Sequence, residues 1–277
     1  MSEEGEAPFR RHRARKALGQ NFLVDPNLQR KIVEAVAPAP EDVVLEIGPG
    51  KGALTRHLEG RAGRLILVEL DRDLAAELRQ RYEGRDDVTV VEGDILKVDL
   101  GALAPDPSAL KVVGNIPYNI TTPILFHFLE RPRPREIVLM VQEEVAERIV
   151  AGPGTGTYGA LAVGVRSVAR AERLFRVGRG AFRPVPAVDS AVVRIRPLVP
   201  PPLSAAEEAG VRRLVRAAFQ WRRKQMGRIL RSHPDLRVDP QAVEALAARV
   251  GFAPSDRPEN LSPEQFVALT RLLPESH

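Results

Sequence analysis

The four residues Asn115-Ile116-Pro117-Tyr118 combine side chains that could act on an amino group attached to a planar ring. The nitrogen of such a group is a poor nucleophile because its lone pair is delocalised into the ring. The Asn115 amide oxygen and a nearby backbone carbonyl could accept its two N–H bonds and localise the lone pair. Pro117 would keep the turn rigid, and Tyr118 could stack on the ring. A methyl group could then pass in line from a sulfonium, with positioning supplying much of the rate enhancement.

The same four residues also fit an ordinary turn, because asparagine and proline favour turns and a tyrosine can simply pack there. Their position decides between the two interpretations. They follow the short apolar run of Val112 and Val113, which predicts that they lie at the end of a strand.

A second candidate site is the glycine-rich turn Gly48-Pro49-Gly50-Lys51-Gly52, which lies between a predicted strand and a predicted helix. Glycines at such a turn let a ligand approach the backbone closely. Glu69 ends the next predicted strand, where a carboxylate can accept both hydroxyls of a ribose. Asp94 ends the third strand, where a carboxylate can accept an adenine amino group. Taken alone, Asp94 is better explained as the cap of a helix or a turn.

The spacing of this turn separates the possible cofactors. A dinucleotide site would show G-x-G-x-x-G, and a P-loop would show G-x-x-x-x-G-K followed by serine or threonine. The turn here has neither spacing, and Glu46 stands two residues before it. The glycine turn with Glu69 and Asp94 at successive strand ends therefore favours S-adenosylmethionine over NAD.

Short apolar runs alternate with helical stretches in the first two thirds of the chain. The predicted strands are 42–48, 64–70, 87–94, 111–115, 136–142 and a late strand at 188–197. The predicted helices are 52–60, 71–83, 121–130 and 143–151. This alternation predicts an α/β fold with a Rossmann-like, doubly wound sheet that is mostly parallel, with its last strand antiparallel. Both candidate sites then lie at the carboxyl edge of the sheet, where open α/β sheets bind ligands.

The sequence of the C-terminal third predicts a small all-α domain. A proline cluster at 197–204 is the best linker candidate. Ser204 with Glu207 forms a capping-box pattern, and Asp239-Pro240 and Ser262-Pro263 start two further helices. Gly251 is expected to end the helix that starts at Asp239.

Basic residues are concentrated in two segments of a chain whose formal net charge is +5. One segment, 212–231, has no acidic residue and is interpreted as one basic helix; its cations are Arg212, Arg213, Arg216, Arg222, Arg223, Lys224, Arg228 and Arg231. The other contains Arg10, Arg11, Arg13, Arg15 and Lys16. Such clusters form solvated faces in an arginine-rich proteome, but their lack of balancing acids favours contacts with nucleic-acid phosphates.

Several classes of function are disfavoured by composition. With no cysteine, the chain has no disulfide, thiolate nucleophile or cysteine-based zinc site, and its five histidines are scattered, so no metal is expected. No apolar run is long enough to span a bilayer, and the N-terminus lacks the apolar centre of a signal peptide. We therefore expect a cytoplasmic protein that does not associate with membranes.

Nine motifs occur in order between Leu18 and Leu273 and resemble those of the ribosomal RNA adenine dimethylase family, most closely its small-subunit (16S) branch. They are LGQNFLVD, EIGPGKGALT, VELD, EGDIL, GNIPYNI, VQEEVAERI, FRPVPAVDSAVVRI, AFQWRRKQ and RPENLSPEQFVAL. Two departures are slight. Ile116 replaces a common leucine, and the residues after Lys224 differ from the usual threonine, leucine and asparagine.

The resemblance implies roles for individual residues. S-adenosylmethionine would be contacted by Gln20, Asn21, Leu23, Gly48, Gly50, Glu69, Asp94 and Asn115. Asn115 through Tyr118 would hold the target adenine, and Phe182 would close over it from the other side. Without the resemblance, Gln20 and Asn21 would be interpreted as caps of a helix starting near Asp25, and Phe182 as a core residue. The proposed RNA contacts are Arg222, Arg223 and Lys224.

The resemblance also implies a domain plan and an activity. The plan is a basic flexible segment at 1–18, an S-adenosylmethionine-dependent methyltransferase domain at 19–197 and a helical RNA- and ribosome-binding domain at 198–277. The activity is two successive methylations at N6 of each of two neighbouring adenines near the 3′ end of 16S rRNA, in the small (30S) subunit, by a monomer.

Other functions remain as alternatives. The first is the resistance-type dimethylase of 23S rRNA, although the VDSAVVRI, AFQWRRKQ and RPENLSPEQF segments favour the 16S branch. The second is a non-catalytic RNA-binding assembly factor, against which the intact Asn115–Tyr118 segment with Glu69 and Asp94 argues. A dehydrogenase is disfavoured by the turn spacing. A DNA adenine methylase uses a similar loop, in which a proline stands where this chain has Ile116.

Overall fold

The computed structural model describes residues 20–273, which include a seven-stranded sheet. The strands of this sheet are β2 (Val43–Ile47), β3 (Arg64–Glu69), β4 (Val88–Glu92), β5 (Lys111–Asn115), β6 (Glu136–Gln142), β7 (Ala169–Val177) and β9 (Ser190–Pro197). A separate two-stranded ribbon pairs β1 (Phe22–Leu23) with β8 (Phe182–Arg183). The predicted segment 1–18, with its basic residues, lies outside the described residues.

The helices follow the strands in the expected alternation. Between β1 and β7 they are α1 (Pro26–Val36), α2 (Thr55–Leu58), α3 (Arg72–Arg81), α4 (Leu100–Leu103), α5 (Thr121–Leu129), α6 (Glu143–Val150) and α7 (Ala160–Arg166). After β9 they are α8 (Ala205–Gln220), α9 (Met226–Ser232), α10 (Pro240–Val250) and α11 (Pro263–Leu272). No helix within 20–273 is long and apolar enough to cross a lipid bilayer.

The strand order is β4-β3-β2-β5-β6-β9-β7, and the first five strands in this order pair in parallel. The prediction of a Rossmann-like, mostly parallel sheet is confirmed. The order reverses between β2 and β5, because the chain first adds β3 and β4 on one side of β2 and then returns to its other side. The carboxyl ends of β2 and β5 therefore flank the crevice in which doubly wound sheets bind ligands.

Four of the five parallel strands, β2, β3, β5 and β6, are nearly continuous apolar runs that are covered on both faces, whereas β4 at the edge is half-buried. Their side chains and those of α1 and α2 form one buried cluster that includes Ile32, Leu58, Leu65 and Val113. All five predicted strands in this part of the chain and the late strand at 188–197 are confirmed. The helix predicted at 52–60 is shorter, because only Thr55–Leu58 is helical.

Three of the strands were not predicted. β7 has the sequence ARAERLFRV, in which charged residues interrupt any apolar alternation, and only its ends are buried. β1 and β8 have two residues each and pair across about 160 positions of sequence, so no local pattern marks them. This ribbon nevertheless supplies residues to the candidate site described below.

The described residues form two compact units. The first contains the described residues up to Glu143 together with Leu174–Arg194, and the second contains Glu144–Arg173 and the described residues from Ile195 onward. The predicted domains at 19–197 and 198–277 stay a prediction, because compactness does not test which segment folds independently. Within residues 20–273, the second unit holds the four α-helices that follow β9, together with α7 and nearly all of α6.

The predicted helix starts in the second unit are confirmed. Ser204 forms a capping box with Glu207, Asp239 caps α10 before Pro240, and Ser262 forms a second capping box at α11. Gly251 ends α10 with a left-handed backbone, as expected.

The core of the second unit contains aromatic rings. Tyr158 contacts Phe219 edge-on, and Phe219 stacks on Phe266. The Tyr158 hydroxyl donates to the Leu261 carbonyl at 2.8 Å. This bond satisfies the one polar atom of a side chain that is otherwise buried among apolar groups.

A buried ion cluster holds together the amino edge of the sheet, opposite the carboxyl ends. Asp42, just before β2, accepts from Lys111 Nζ at 2.7 Å and from Arg135 Nη2 at 2.6 Å. Lys111 Nζ also donates to the carbonyls of Val36 and Ala37 and so caps the end of α1. Burial alone would raise the pKa of Asp42, but the hydrogen bonds and the two positive charges lower it below its usual range.

We expect Asp42→Asn to lower the free energy of unfolding by about 3 kcal/mol, because Lys111 would keep its buried charge without a carboxylate. The depressed pKa means that this contribution is present above the unfolded value of 3.8 and is lost as pH falls through the folded pKa. Urea unfolding at pH 7 measures the effect. Asp86→Asn, at an exposed carboxylate, should leave stability unchanged. An Asp42→Asn loss no larger than that of Asp86→Asn would contradict this assignment.

Candidate active site

A cavity of about 990 Å³, counted to its open mouth, lies in the first unit at the carboxyl ends of β2, β3, β4 and β5. The cavity lining includes every residue predicted to contact the cofactor, together with Pro117 and Tyr118 of the other candidate site. These predicted cofactor contacts are Gln20, Asn21, Leu23, Gly48, Gly50, Glu69, Asp94 and Asn115. The two candidate sites of the sequence are therefore two parts of one cavity.

The glycine turn follows β2 and has a left-handed backbone at two lining positions, with φ of +61° at Gly48 and +58° at Gly50. Side chains rarely accept such angles, so glycine is required there. A Cβ on Gly50 would also lie 3.2 Å from the ring of Phe22, which lines the cavity from β1. The turn thus keeps its backbone open to a ligand on one side and packs against β1 on the other.

Glu69, the last residue of β3, is joined to the glycine turn. Its Oε2 accepts the Gly50 N–H at 2.9 Å, and its Oε1 accepts the Asp71 N–H at 2.9 Å. Burial raises the pKa of Glu69, and these hydrogen bonds oppose that shift. A carboxylate offers about four acceptor sites, so Glu69 can also accept from the hydroxyls of a ribose.

Asp94 lines the cavity and also caps a short 3₁₀ turn, since its side chain accepts the Leu96 N–H at 3.1 Å. Asp94 is therefore the cap of this turn, as its sequence context alone indicates. It uses one carboxylate oxygen, and the half-buried side chain retains the other for a ligand at the third strand end.

The Asn115 side chain is oriented by the backbone of the segment before β1. Its Nδ2 donates to the Asn21 carbonyl at 2.9 Å. Because a carbonyl only accepts, the amide nitrogen must face Asn21, which directs Oδ1 to another side as an acceptor. Gln20, the neighbour of Asn21, donates from Nε2 to Asp71 at 3.1 Å. Neither Gln20 nor Asn21 is the cap of α1, which is Asp25.

The residues after Asn115 form a turn whose polar groups are partly used. The Pro117 carbonyl accepts the Ile120 N–H at 3.2 Å and the Thr121 hydroxyl at 3.4 Å. The Tyr118 hydroxyl lies 2.7 Å from Oγ of Ser190, which is buried at the start of β9. This bond holds the tyrosine ring by its far end, while the ring itself lines the cavity.

Phe182 is not among the residues that line the cavity. Its side chain is fully buried in the hydrophobic cluster, where β8 places it opposite Leu23 of β1. Phe182 is therefore a core residue in this structure, and its ring does not line the pocket opposite Tyr118.

Two of the lining residues that were not predicted as site residues have side chains that shape the pocket. Phe22, from the LGQNFLVD motif, is one of them. Glu46 is the other; it was noted before the turn but received no role, although a carboxylate inside the apolar strand VVLEI was a usable signal. Its Oε2 accepts from the Thr55 hydroxyl at 2.7 Å. Complete burial, with Glu69 and Glu59 nearby, raises the pKa of Glu46 to about 8.

The chemistry of this lining fits an adenosyl ligand with a positive charge. Apolar side chains of Ile47, Val68 and Ile95 can cover a planar base, and three acidic side chains lie on the same lining, at Glu46, Glu69 and Asp94. S-adenosylmethionine carries both features. Among residues 20–273, no group of histidine and acidic side chains is arranged to hold a metal ion.

The basic segment of the second unit is not one helix, which corrects the prediction for 212–231. α8 ends at Gln220 and α9 begins at Met226, so Arg222, Arg223 and Lys224 lie in the turn between them. We call residues 221–225 the basic turn. The prediction was wrong because the sequence of 212–231 contains no glycine or proline between Gln220 and Met226 to mark the end of a helix.

The Arg222 side chain forms two hydrogen bonds within the second unit. Its Nε donates to Glu259 at 2.6 Å and its Nη2 to the Gly156 carbonyl at 3.2 Å. Arg223 and Lys224 are exposed, and neither pairs with a carboxylate in the part of the chain that the structure describes. The three residues predicted to bind RNA are therefore not equivalent.

The chain matches known proteins over nearly its whole length. A family model described as "Ribosomal RNA adenine dimethylase" matches residues 11–274. The "Ribosomal RNA small subunit methyltransferase A" of Aromatoleum aromaticum is 46% identical over 263 residues, which is 95% of both chains. The protein of the same name from Geobacter metallireducens is 45% identical and is matched over 94% of this chain and 96% of its own.

Solved structures of two related proteins have similar folds. A dimethyladenosine transferase from Plasmodium falciparum superposes with a TM-score of 0.78 at 27% identity, over 90% of this chain and 95% of its own. The 23S rRNA methyltransferase ErmE gives a TM-score of 0.71 at 32% identity, over 91% of this chain and 99% of its own.

We expect Glu46→Gln to make the unliganded protein more stable at pH 8 and to leave its stability almost unchanged at pH 5. The raised folded pKa means that wild-type stability falls as pH rises from the unfolded value of 4.5 to about 8, whereas the amide has no proton to lose. The amide oxygen introduced by this substitution can still accept from Thr55. Thermal unfolding of both proteins across this range measures the difference. Parallel curves for the two proteins would show that Glu46 is ionised throughout.

Proposed function

Because the chain belongs to the ribosomal RNA adenine dimethylase family, we propose that it dimethylates N6 of two adjacent adenines near the 3′ end of 16S rRNA in the small ribosomal subunit. It is an S-adenosylmethionine-dependent methyltransferase. The observation that carries the proposal is the orientation of Asn115, whose amide nitrogen is bound to Asn21. Its oxygen is thereby left to accept from an adenine amino group.

In this proposal the acidic strand ends hold the cofactor. Glu69 accepts the ribose hydroxyls, and Asp94 accepts the adenine amino group through its remaining oxygen. The turn at Gly48 and Gly50 lies along the methionine portion, and residues 20–23 cover it from the segment around β1. When bound, S-adenosylmethionine supplies a methyl group attached to a positively charged sulfur.

The target adenine would be held by the residues after β5. Asn115 Oδ1 accepts one N–H of the amino group. The Pro117 carbonyl already accepts from Ile120 and Thr121, so we assign the second N–H to the carbonyl of Ile116, which also lines the cavity. Two acceptors pull the nitrogen toward tetrahedral geometry and localise its lone pair. Tyr118 stacks on the base, with its hydroxyl held at the start of β9.

Phe182 receives a supporting role in this proposal. Contact with the base would require its buried ring to leave the core, whereas its position opposite Leu23 lets it hold β1 against the cavity.

No strong base is needed for the transfer. Among the described residues, those that line the cavity include no histidine, cysteine or lysine that could act as one. Deprotonation can follow methyl transfer, because the methylated amino group is then a cationic acid that loses its proton readily.

The choice of 16S over 23S rRNA is supported by degree of similarity. Relatives named for the small subunit are 43–46% identical over at least 93% of this chain, whereas ErmE is 32% identical. We further propose that the protein acts as a monomer in the cytoplasm.

The decisive experiment for the choice of rRNA offers unmethylated small and large subunits separately, with S-adenosylmethionine, and measures dimethyladenosine by mass spectrometry of the digested rRNA. Product only in the large subunit would instead identify a 23S enzyme.

We expect Asn115→Ala to lower kcat for methyl transfer at least about 100-fold, because the amino group loses the acceptor that orients it. Binding to the small subunit should be largely unchanged. Asn119→Ala is the matched control, since Asn119 is exposed and lies only four residues further along. Single-turnover assays with saturating subunits measure the rate. Near wild-type dimethylation by Asn115→Ala would refute the proposed mechanism.

We expect the double variant Arg223→Gln, Lys224→Gln to bind small subunits less tightly and with a weaker dependence on salt. Loss of two phosphate contacts should reduce the slope of log K against log salt by about 1.4 to 1.8. Arg222→Gln is the contrasting variant. It should lower the thermal stability, because Glu259 and the Gly156 carbonyl lose their partner, with little change in slope. Equal salt slopes for wild type and the double variant would show that the basic turn is not part of the RNA interface.

A further inference from the structure

A second cationic surface lies beside the cavity in the first unit. It belongs to residues 178–189, which we call the arginine loop, between β7 and β9. The cations of this loop are Arg179 and Arg183, both exposed. Arg183 Nη1 donates to the carbonyls of Gly180 and Phe182, which fixes the guanidinium while leaving other N–H groups to bind a ligand.

The positive charge of the arginine loop is not cancelled locally. Its one carboxylate, Asp189, is engaged by the guanidinium of Arg176 and by the backbone N–H of Arg179. Within residues 20–273, the side chains of Arg179 and Arg183 form no ion pair with a carboxylate. Two guanidinium groups are therefore available to an anionic partner.

The arginine loop is tied to residues that line the cavity at two places. In the β1–β8 ribbon, Arg183 lies directly opposite Phe22, and Leu23 lies opposite Phe182. Side chains that lie directly opposite each other share a face, so Arg183 is on the face of Phe22 and Phe182 on the face of Leu23, and both Phe22 and Leu23 line the cavity. At the end of the loop, the next residue, Ser190, binds the Tyr118 hydroxyl.

The arginine loop also exposes apolar side chains. Val185 and Val188 are 52% and 43% exposed, and Val24, beyond the end of β1, is 45% exposed. A partner that offers both phosphates and apolar faces is single-stranded RNA, whose unpaired bases and sugars cover such side chains. A protein partner would match the apolar side chains but would need its own acidic groups for the two arginines.

We propose that the arginine loop binds the RNA strand next to the target adenine. Arg179 and Arg183 contact phosphates, and Val185 and Val188 lie against an adjacent base or sugar. This inference rests on the proposed function and adds to it a contact surface at the cavity, in addition to the basic turn. The phosphate contacts would set the register that brings one adenine, and then its neighbour, to Asn115.

The test compares wild type with the double variant Arg179→Gln, Arg183→Gln in methylation of unmethylated small subunits over a potassium chloride series. We expect kcat/KM to fall roughly tenfold and its logarithmic salt slope to decrease by about 1.4, the value for two single-strand phosphate contacts. S-adenosylmethionine affinity, measured by calorimetry, should be unchanged. Arg61→Gln is the matched control, because this exposed arginine precedes β3 at the amino edge of the sheet, away from the cavity.

A photoreactive phenylalanine analogue in place of Val185 identifies the partner directly. We expect it to crosslink to rRNA within a few nucleotides of the target adenines. Crosslinking to a ribosomal protein would overturn the assignment to RNA. The assignment would also be overturned if the Arg179→Gln, Arg183→Gln double variant had the same kcat/KM and salt slope as wild type. If wild type itself methylates neither ribosomal subunit, the proposed function fails, and that result is distinguishable from failure of this inference alone.

Discussion

The hydrogen bond from the Asn115 side chain to the Asn21 carbonyl joins residues 94 positions apart, and the two halves of the cavity depend on it. It attaches the segment before β1 to the end of β5. It also decides which amide atom is left as an acceptor. One contact therefore holds part of the cofactor side in place and orients the group that would receive the substrate, so the two cannot be positioned independently.

The cavity concentrates acidic side chains, and the described residues that line it include no arginine, lysine or histidine. Glu69 accepts from the backbone N–H groups of Gly50 and Asp71, while Glu46 accepts from Thr55 and is completely buried. Burial and the neighbouring Glu69 and Glu59 carboxylates raise the pKa of Glu46 to about 8. A ligand with a sulfonium supplies the missing positive charge, and the neutral product left after methyl transfer does not.

Much of the fold could be predicted because parallel strands covered on both faces have continuous apolar sequences. The same reasoning located Glu69, Asp94 and Asn115 together, since the carboxyl ends of such strands meet at one edge. Features set by distant partners could not be predicted. Arg222 pairs with Glu259 across 37 positions, and Phe182 is buried by pairing with β1. The protonation of Glu46 likewise depends on the whole enclosure around it and not on its neighbours in sequence.

The ion cluster of Asp42, Lys111 and Arg135 lies at the edge of the sheet opposite the cavity. None of these three residues lines the cavity, so their contribution to stability is separate from the chemistry of the site. A lineage could adapt this protein to a new growth temperature by altering the amino edge while the carboxyl edge stays constant. The ion cluster is thus a place where the stability of the sheet can change without altering a residue that lines the cavity.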